Sequence, residues 1–383
     1  MKAPFIWFGG KRRVADIVWR ALGDVDNYAE PFAGSLAVLL ERPDSHRGRT
    51  ETVNDADSYI ANFWRALQAD PDEVAYWADW PVNETDLFAR HLWLVNEGLA
   101  EMKAGLDADP HWYSAKIAGW WVWGLNSWIG SGWCAGKGPW KVVDGRAQLT
   151  DGKGGQWRQR PHLGSAGQGV NGGGDFTKGG SGAPDNVWDT SLIADGERPL
   201  YGYMRALAAR LRDVRVCCGD WRRVVTPGAL AHGATVGVFL DPPYSDVRTA
   251  DLYAVDDLSI AHEVAEWCRQ NQDNPRYRIV LAGYEGEHDL PGWEVHAYSG
   301  TAAYQTAAGG GVNAENRHKE RLWFSPGCIR SRDRQEVLPL ARFALPDALT
   351  ETGAGPSWTS GGGCPREIGT ALLADPVLDG ELA

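Results

Sequence analysis

The run Val236-Gly237-Val238-Phe239-Leu240, followed at once by Asp241-Pro242-Pro243-Tyr244, constrains the fold more than any other stretch of the chain. Its β-branched and aromatic residues read as a buried strand, and the two prolines end that strand because neither carries an N–H for a ladder. The tetrapeptide is therefore a stiff loop at the carboxyl end of a strand, the edge where open α/β sheets bind ligands. A carboxylate, a proline carbonyl and an aromatic ring gathered there suit an amino group on a flat ring. Asp241 and the Pro242 carbonyl can each accept one hydrogen of an exocyclic NH2, while Tyr244 stacks on the base. The same residues also read as a plain strand-ending turn, since Asp-Pro and Pro-Pro are ordinary turn dipeptides.

A second segment points the same way. Asp26-Asn27-Tyr28-Ala29-Glu30-Pro31-Phe32-Ala33-Gly34-Ser35 leads into Leu36-Ala37-Val38-Leu39-Leu40, a pattern of strand, glycine-bearing turn and apolar helix. This is the form of a nucleotide-binding first βα unit. Gly34 lets a ligand approach the backbone, and Glu30 offers a counter-charge to a cationic group such as the methionine ammonium of S-adenosylmethionine. The next strand, residues 50–54, ends at Asp55, where an acidic residue in doubly wound folds holds ribose hydroxyls. Asp55 can equally be a helix N-cap, because Tyr59, Ile60, Phe63, Trp64 and Leu67 follow at helical spacing. Asp57 serves as a cap just as well, which frees Asp55 for a ligand.

Five blocks now stand in a fixed order: Trp7-Phe8-Gly9-Gly10-Lys11, residues 28–40, Val53-Asn54-Asp55, Cys218-Gly219-Asp220-Trp221 and Asp241-Pro242-Pro243-Tyr244. In kind and order they resemble the Dam-like DNA adenine-N6 methyltransferases. Residues 123–134 are similar to the segment that precedes the target-recognition region of that family, and Glu320-Arg321-Leu322-Trp323-Phe324-Ser325 resembles its late core strand. The resemblance spans residues 4–326. It implies a doubly wound, Rossmann-like α/β methyltransferase sheet with a small inserted DNA-recognition domain. It also implies S-adenosylmethionine as cofactor, double-stranded DNA as partner, and no metal. Trp7, Lys11, Glu30, Phe32, Gly34, Asp55, Asp220 and Trp221 would shape the cofactor site, with Asp220 and Trp221 at its adenine end. Asp241, Pro242, Pro243 and Tyr244 would act on a flipped-out adenine. For Asp220 the plainer role is a turn after a strand.

The chain departs from the family at three places. Leu36 stands where a second glycine is usual, Leu281-Ala282-Gly283-Tyr284 replaces a polar trio, and Ser127-Trp128 occupies a place often held by arginine and an aromatic residue. Transfer to cytosine N4 or to a protein glutamine is the same-chemistry rival, and relatives doing so usually carry Ser or Asn at the place of Asp241. A catalytically silent DNA- or cofactor-binding protein is the alternative from another class. A dinucleotide enzyme is disfavoured, because no G-x-G-x-x-G follows the first strand.

Charge is the main objection to a nucleic-acid partner, since the net value is −12 over 383 residues and DNA affinity comes largely from phosphate neutralisation. Its distribution weakens the objection. Residues 137–160 hold the six basic residues Lys137, Lys141, Arg146, Lys153, Arg158 and Arg160 against Asp144 and Asp151. Lys137, Lys141, Lys153, Arg158 and Arg160 are the candidate DNA contacts. Residues 344–383 have six acidic residues and only Arg366, and are expected to be a disordered acidic tail.

The six cysteines form no Cys-x-x-Cys pair and no cluster with histidine, so neither zinc site nor disulfide framework is indicated and a reducing cytoplasm fits. Residues 118–129 are too short and polar to span a bilayer. Adjacent Cys217 and Cys218 are expected on a strand as small apolar residues. The 20 tryptophans are attributed to packing and compositional bias.

Helical patterns run over residues 14–22, 57–68, 71–77 and 85–102, and again from Leu200 to a strand at 214–218. His91 lies on the apolar stripe of the fourth and reads as a packed residue, not a base. Later strands are expected at 278–282, 294–297 and 321–324. Between 152 and 182 there are twelve glycines, which suggests a mobile loop. The expected division is a catalytic core of residues 1–105 and 200–330, interrupted by a recognition insertion at 106–199.

Overall fold

The computed structural model describes residues 1–5, 11–46, 49–127, 133–134, 140–143, 146–149, 198–243, 259–298 and 319–330. Tyr244, Trp7, Lys137, Lys153, Arg158, Arg160, the glycine-rich stretch and the acidic tail therefore lie outside the described residues.

The chain enters through a 3-10 turn at Lys11–Val14 and helix α1 (Ala15–Leu22), then strand β1 (Asn27–Glu30), the short helix α2 (Ala37–Leu40) and strand β2 (Thr50–Asp55). Helices α3 (Ser58–Ala69), α4 (Pro71–Ala78) and α5 (Glu84–Trp93) follow. A π turn, Leu94–Gly98, joins α5 to α6 (Leu99–Ala108), so the expected helix at 85–102 is one rod with a bulge in it. The bulge has a local cause: the Tyr59 hydroxyl donates to the Leu94 carbonyl at 2.7 Å, taking an acceptor that the regular ladder would use. Helix α7 (Ala115–Ser127) and a hairpin of β3 (Trp140–Val143) and β4 (Arg146–Leu149) come next. Further along the chain come α8 (Pro199–Leu211), β5 (Arg215–Cys218), β6 (Val236–Leu240), α9 (Ile260–Asn271), β7 (Tyr277–Tyr284), β8 (Glu294–Ala297) and β9 (Glu320–Phe324).

The main sheet has seven strands in the order β5-β2-β1-β6-β7-β9-β8. The first five run parallel, and β9 is antiparallel to both β7 and β8. Strand order reverses between β1 and β6: the chain leaves β1 toward β2 and leaves β6 toward β7, so their carboxyl ends open a crevice at a topological switch point. All of β6 is buried, as its unbroken apolar run requires. One apolar layer, built on Tyr28, Val53, Phe239 and Val280 with α1, α3 and α7, covers one face of the sheet. The other holds Val238, Leu240, Ile279 and Leu281 under α9.

Three features depart from the expected organisation. Helix α7 falls inside the span assigned to the insertion, yet its Ile117, Trp121, Val122 and Trp123 belong to the main apolar core. It is apolar nearly all round, which gives a buried helix no polar face to read in sequence. The β3–β4 hairpin occupies a stretch read as irregular, with Lys141 opposite Gln148. Helix α9 was not anticipated either, although Ala261, Val264, Ala265 and Cys268 carry its i, i+3, i+4, i+7 stripe in small residues of low contrast.

A buried carboxylate helps to join the stretches of the core that precede and follow residues 106–199. Glu51 of β2 accepts from Arg42 at 3.0 Å and from Arg210 of α8 at 2.8 and 2.9 Å. Trp19 lies against Arg42, with the guanidinium 5.0 Å from its ring centroid.

Candidate active site at the carboxyl edge of the sheet

The loop after β1 is held in an uncommon shape by its neighbours. Gly34 (φ 47°) and Leu36 (φ 54°) both have left-handed backbones. The Ala33 N–H donates to the Asn54 carbonyl at 2.8 Å, and the Gly34 N–H donates to Asp55 Oδ2 at 2.9 Å. The Trp64 indole donates to the Gly34 carbonyl at 3.0 Å. Left-handed backbone costs a non-glycine residue about 1–2 kcal/mol. Leu36 is wholly buried, and burying a leucine returns about 1.5–3 kcal/mol, which explains how it is tolerated where the family favours glycine.

At the end of β2 the two acidic residues divide the work. Asp57 is the N-cap of α3, accepting from the Tyr59 N–H at 2.8 Å, and burial pushes its carboxyl up to about 6. Asp55 is not the cap. Its Oδ1 accepts from the Asp57 N–H at 2.9 Å, and burial, with the Asp57 charge beside it, pushes its carboxyl up to about 7. Asn54, which sequence reasoning gave no role, donates to the Pro31 carbonyl at 3.1 Å and to the Gly219 carbonyl at 2.9 Å. It thereby ties the loop after β1 to the loop after β5, and its sequence signal is an amide in an otherwise buried strand end.

Glu30 is 2% exposed and accepts the Tyr28 hydroxyl at 2.8 Å. Burial raises its carboxyl to about 8 against the lowering effect of that hydrogen bond, and the Asp241 charge adds to the rise. Phe32 and Trp221 face each other with ring centroids 6.0 Å apart and planes tilted by 32°. The Trp221 indole N–H is buried and has no hydrogen-bond partner among the described residues. Asp220 is exposed and already engaged: its Oδ1 accepts from the Arg222 N–H at 2.8 Å, and its Oδ2 pairs with the Arg222 guanidinium at 2.7 Å. It caps the short 3-10 turn Trp221–Val224, the plainer of its two expected roles, which leaves the adenine-end role to be tested.

Asp241 follows β6 directly, with Pro242 buried behind it and Pro243 half-buried. Lys11 was expected with the cofactor residues, and the fold brings its ammonium to 2.9 Å from Asp241 Oδ1 and 3.7 Å from Glu320 Oε2. Its side chain is only 3% exposed. Glu320 begins β9 and accepts the Tyr298 hydroxyl. The edge thus carries Glu30, Asp55, Asp241 and Glu320, the last two paired with one buried lysine, an acceptor set suited to a cationic ligand and to the hydrogens of an amine.

The departure at Gly283 has a packing reason: a Cβ there would lie 2.7 Å from His288 Nε2 and 2.8 Å from Glu287 Oε2. His91 is packed as expected, stacked on Trp133 with centroids 4.9 Å apart, and burial lowers its imidazole to about 4. Cys217 and Cys218 lie on β5. Of the candidate DNA contacts, only Lys141 is placed, on β3. Among the described residues no helix is long and apolar enough to cross a membrane, and no group of three or more His, Cys, Asp or Glu side chains is arranged to hold a metal.

A mostly parallel, doubly wound sheet with an acidic residue at the end of β1, another at the end of β2 and an Asp-Pro-Pro loop after β6 defines the Rossmann-like methyltransferase class. Within it, residues 7–89 match the D12 class N6 adenine-specific DNA methyltransferase family. The matched span contains Lys11, Glu30, Phe32, Gly34 and Asp55, whereas Asp220, Trp221 and Asp241 fall beyond it and are joined to the site by the fold. No curated protein matches the chain.

Proposed function

We propose that the chain transfers a methyl group from S-adenosylmethionine to N6 of an adenine flipped out of double-stranded DNA. The observation that carries this reading is the position of Asp241: it sits at the switch-point edge, 2.9 Å from the Lys11 ammonium, beside the crevice formed by the loops after β1 and β2.

The residues present fit the cofactor. Glu30 would face its ammonium, Asp55 its ribose hydroxyls, and Phe32 with Trp221 its purine ring, to which the Trp221 indole N–H, without a partner among the described residues, could donate. Asp220 could take part only by sharing its carboxylate with Arg222. When bound, S-adenosylmethionine supplies an electrophilic methyl group on a sulfonium and leaves as the thioether. The chain's task is to present the amine. Asp241 and the Pro242 carbonyl accept its two hydrogens, which frees the nitrogen lone pair from the ring and aims it. As the amine took the methyl group and the C–S bonding pair stayed with the departing thioether, nitrogen would become cationic, and Asp241 would pass its surplus proton to water. Fixed charges at the edge stabilise that developing charge without reorganising. Tyr244 would stack on the extruded base. Lys141 on the β3–β4 hairpin, together with Lys137, Lys153, Arg158 and Arg160, would meet phosphates.

Incubation with tritium-labelled S-adenosylmethionine and mixed DNA, followed by nucleoside analysis, tests the proposal. Label in N6-methyladenine is the expected result. Label in N4-methylcytosine would favour the rival amine, and no label in any nucleoside would point to a silent binding protein.

A further inference from the structure

We propose that Glu320 is a positioning residue for methyl transfer, acting on Asp241 through the Lys11 ammonium that the two carboxylates share. The proposal rests on the reading of Asp241 given above.

A buried ammonium must be compensated, and Lys11, with a side chain 3% exposed, finds Asp241 at 2.9 Å and Glu320 at 3.7 Å. Glu320 is itself fixed from two directions. The Tyr298 hydroxyl donates to its Oε2, and the Tyr298 N–H donates to its backbone carbonyl at 3.1 Å. Its place in the sheet is set by pairing with Tyr284 at the carboxyl end of β7. Side-chain exposure rises along the series, from 3% at Lys11 through 13% at Glu320 to 20% at Asp241, so Asp241 is the most accessible of the three.

Charge arithmetic gives the arrangement its purpose. Among the described residues, Lys11 from the entry turn, Glu30 from the end of β1 and Glu320 from β9 are titratable groups that act on Asp241, with the Tyr28 and Tyr298 hydroxyls bonded to the two glutamates. A lysine paired with Asp241 alone would neutralise it and weaken it as an acceptor for the amine. By taking part of the same ammonium, Glu320 leaves Asp241 fixed at Oδ1 and still strongly accepting.

The test compares wild type, Glu320→Gln and Glu320→Asp as full chains. Single-turnover methyl transfer at saturating S-adenosylmethionine and DNA should fall roughly ten- to a hundredfold in Glu320→Gln, while the Kd for S-adenosylmethionine stays within about twofold. Carbon-13 NMR of labelled aspartate in the free protein, with the Asp241 signal assigned by its loss in Asp241→Asn, should show that carboxylate titrating at lower pH once the Glu320 charge is gone. Glu320→Asp should restore part of both effects. An unchanged Asp241 midpoint overturns the link through Lys11, even if the variant melts earlier. A shifted midpoint with an unchanged transfer rate overturns the catalytic role. If wild type transfers no methyl group, the functional reading fails and the positioning role with it, and the midpoint, read without substrate, separates that result from a failure of the link.

Discussion

The Gly34 N–H donates to Asp55 Oδ2 at 2.9 Å, so the carboxylate proposed to hold a ribose also locks the loop that lies beside it. Asp55→Ala should weaken S-adenosylmethionine binding by roughly 1–3 kcal/mol, with less change in turnover at saturating cofactor. Asp57→Ala is the control. It removes the α3 cap and should lower stability by about 0.5–2 kcal/mol while leaving cofactor affinity nearly unchanged. Calorimetry and thermal melting of the pair decide the matter, and equal affinities in wild type and Asp55→Ala would end the ribose assignment.

Asp241→Ala should leave cofactor binding within a few-fold and cut turnover by a factor on the order of a hundred or more. Part of any stability loss would come from Lys11, a buried ammonium deprived of the carboxylate 2.9 Å from it. Near-normal turnover in this variant would remove Asp241 from the mechanism.

Glu30 supplies a pH test. Its carboxyl is raised to about 8 from the ordinary value of 4.5, so the folded chain binds a proton there that the unfolded chain releases between these limits. The resulting stability is fully present below about 4.5 and is lost as pH rises through about 8. Ligand binding runs the other way. A cationic group against Glu30 favours its charged form, so S-adenosylmethionine affinity should rise with pH from about 6 to 8, approaching tenfold per unit if one proton leaves. In Glu30→Gln that slope should flatten. A Kd independent of pH in the wild type would place the ammonium elsewhere.

Leu36 predicts an inverted mutational order. Leu36→Ala keeps the left-handed strain and opens a cavity, costing about 2–5 kcal/mol. Leu36→Gly loses more side chain yet relieves about 1–2 kcal/mol of strain, and should be no less stable than the alanine variant. At an ordinary site glycine would be worse by about 0.5–1 kcal/mol. Urea titration of both variants checks it.

DNA affinity should fall steeply with salt, and reversing Arg158 and Arg160 to glutamate should flatten that slope without moving cofactor affinity. An unchanged slope would send the search for the recognition surface to other residues.

What could be read in advance follows the range of each interaction. The β6 strand with its proline stop, the Glu30–Gly34 turn and the Asp55/Asp57 pair are local patterns, and the structure places them at one edge. The meeting of Lys11 with Asp241 and Glu320 depends on sheet order across distant parts of the chain, and no spacing in the sequence expresses it. The family resemblance put Lys11 with the cofactor residues, and its pairing with Asp241 and Glu320 came only from the fold. Helix α7 was missed for the opposite reason, since its apolar residues were seen but their packing on α3 and α4 left no alternation to count.

The adjacency of β1 and β6 also bears on how the chain is made. Asn27 of β1 pairs with Val236 of β6, and the flanking Asp26 and Thr235 are 209 positions apart in the chain. On a ribosome adding about 5–20 residues per second, β1 and β2 emerge many seconds before the strand that must lie beside them. Until then the inner edge of β1 offers open backbone groups and the apolar layer above it is incomplete. Synthesis rate and chaperone supply should therefore govern the yield of folded protein more than equilibrium stability does.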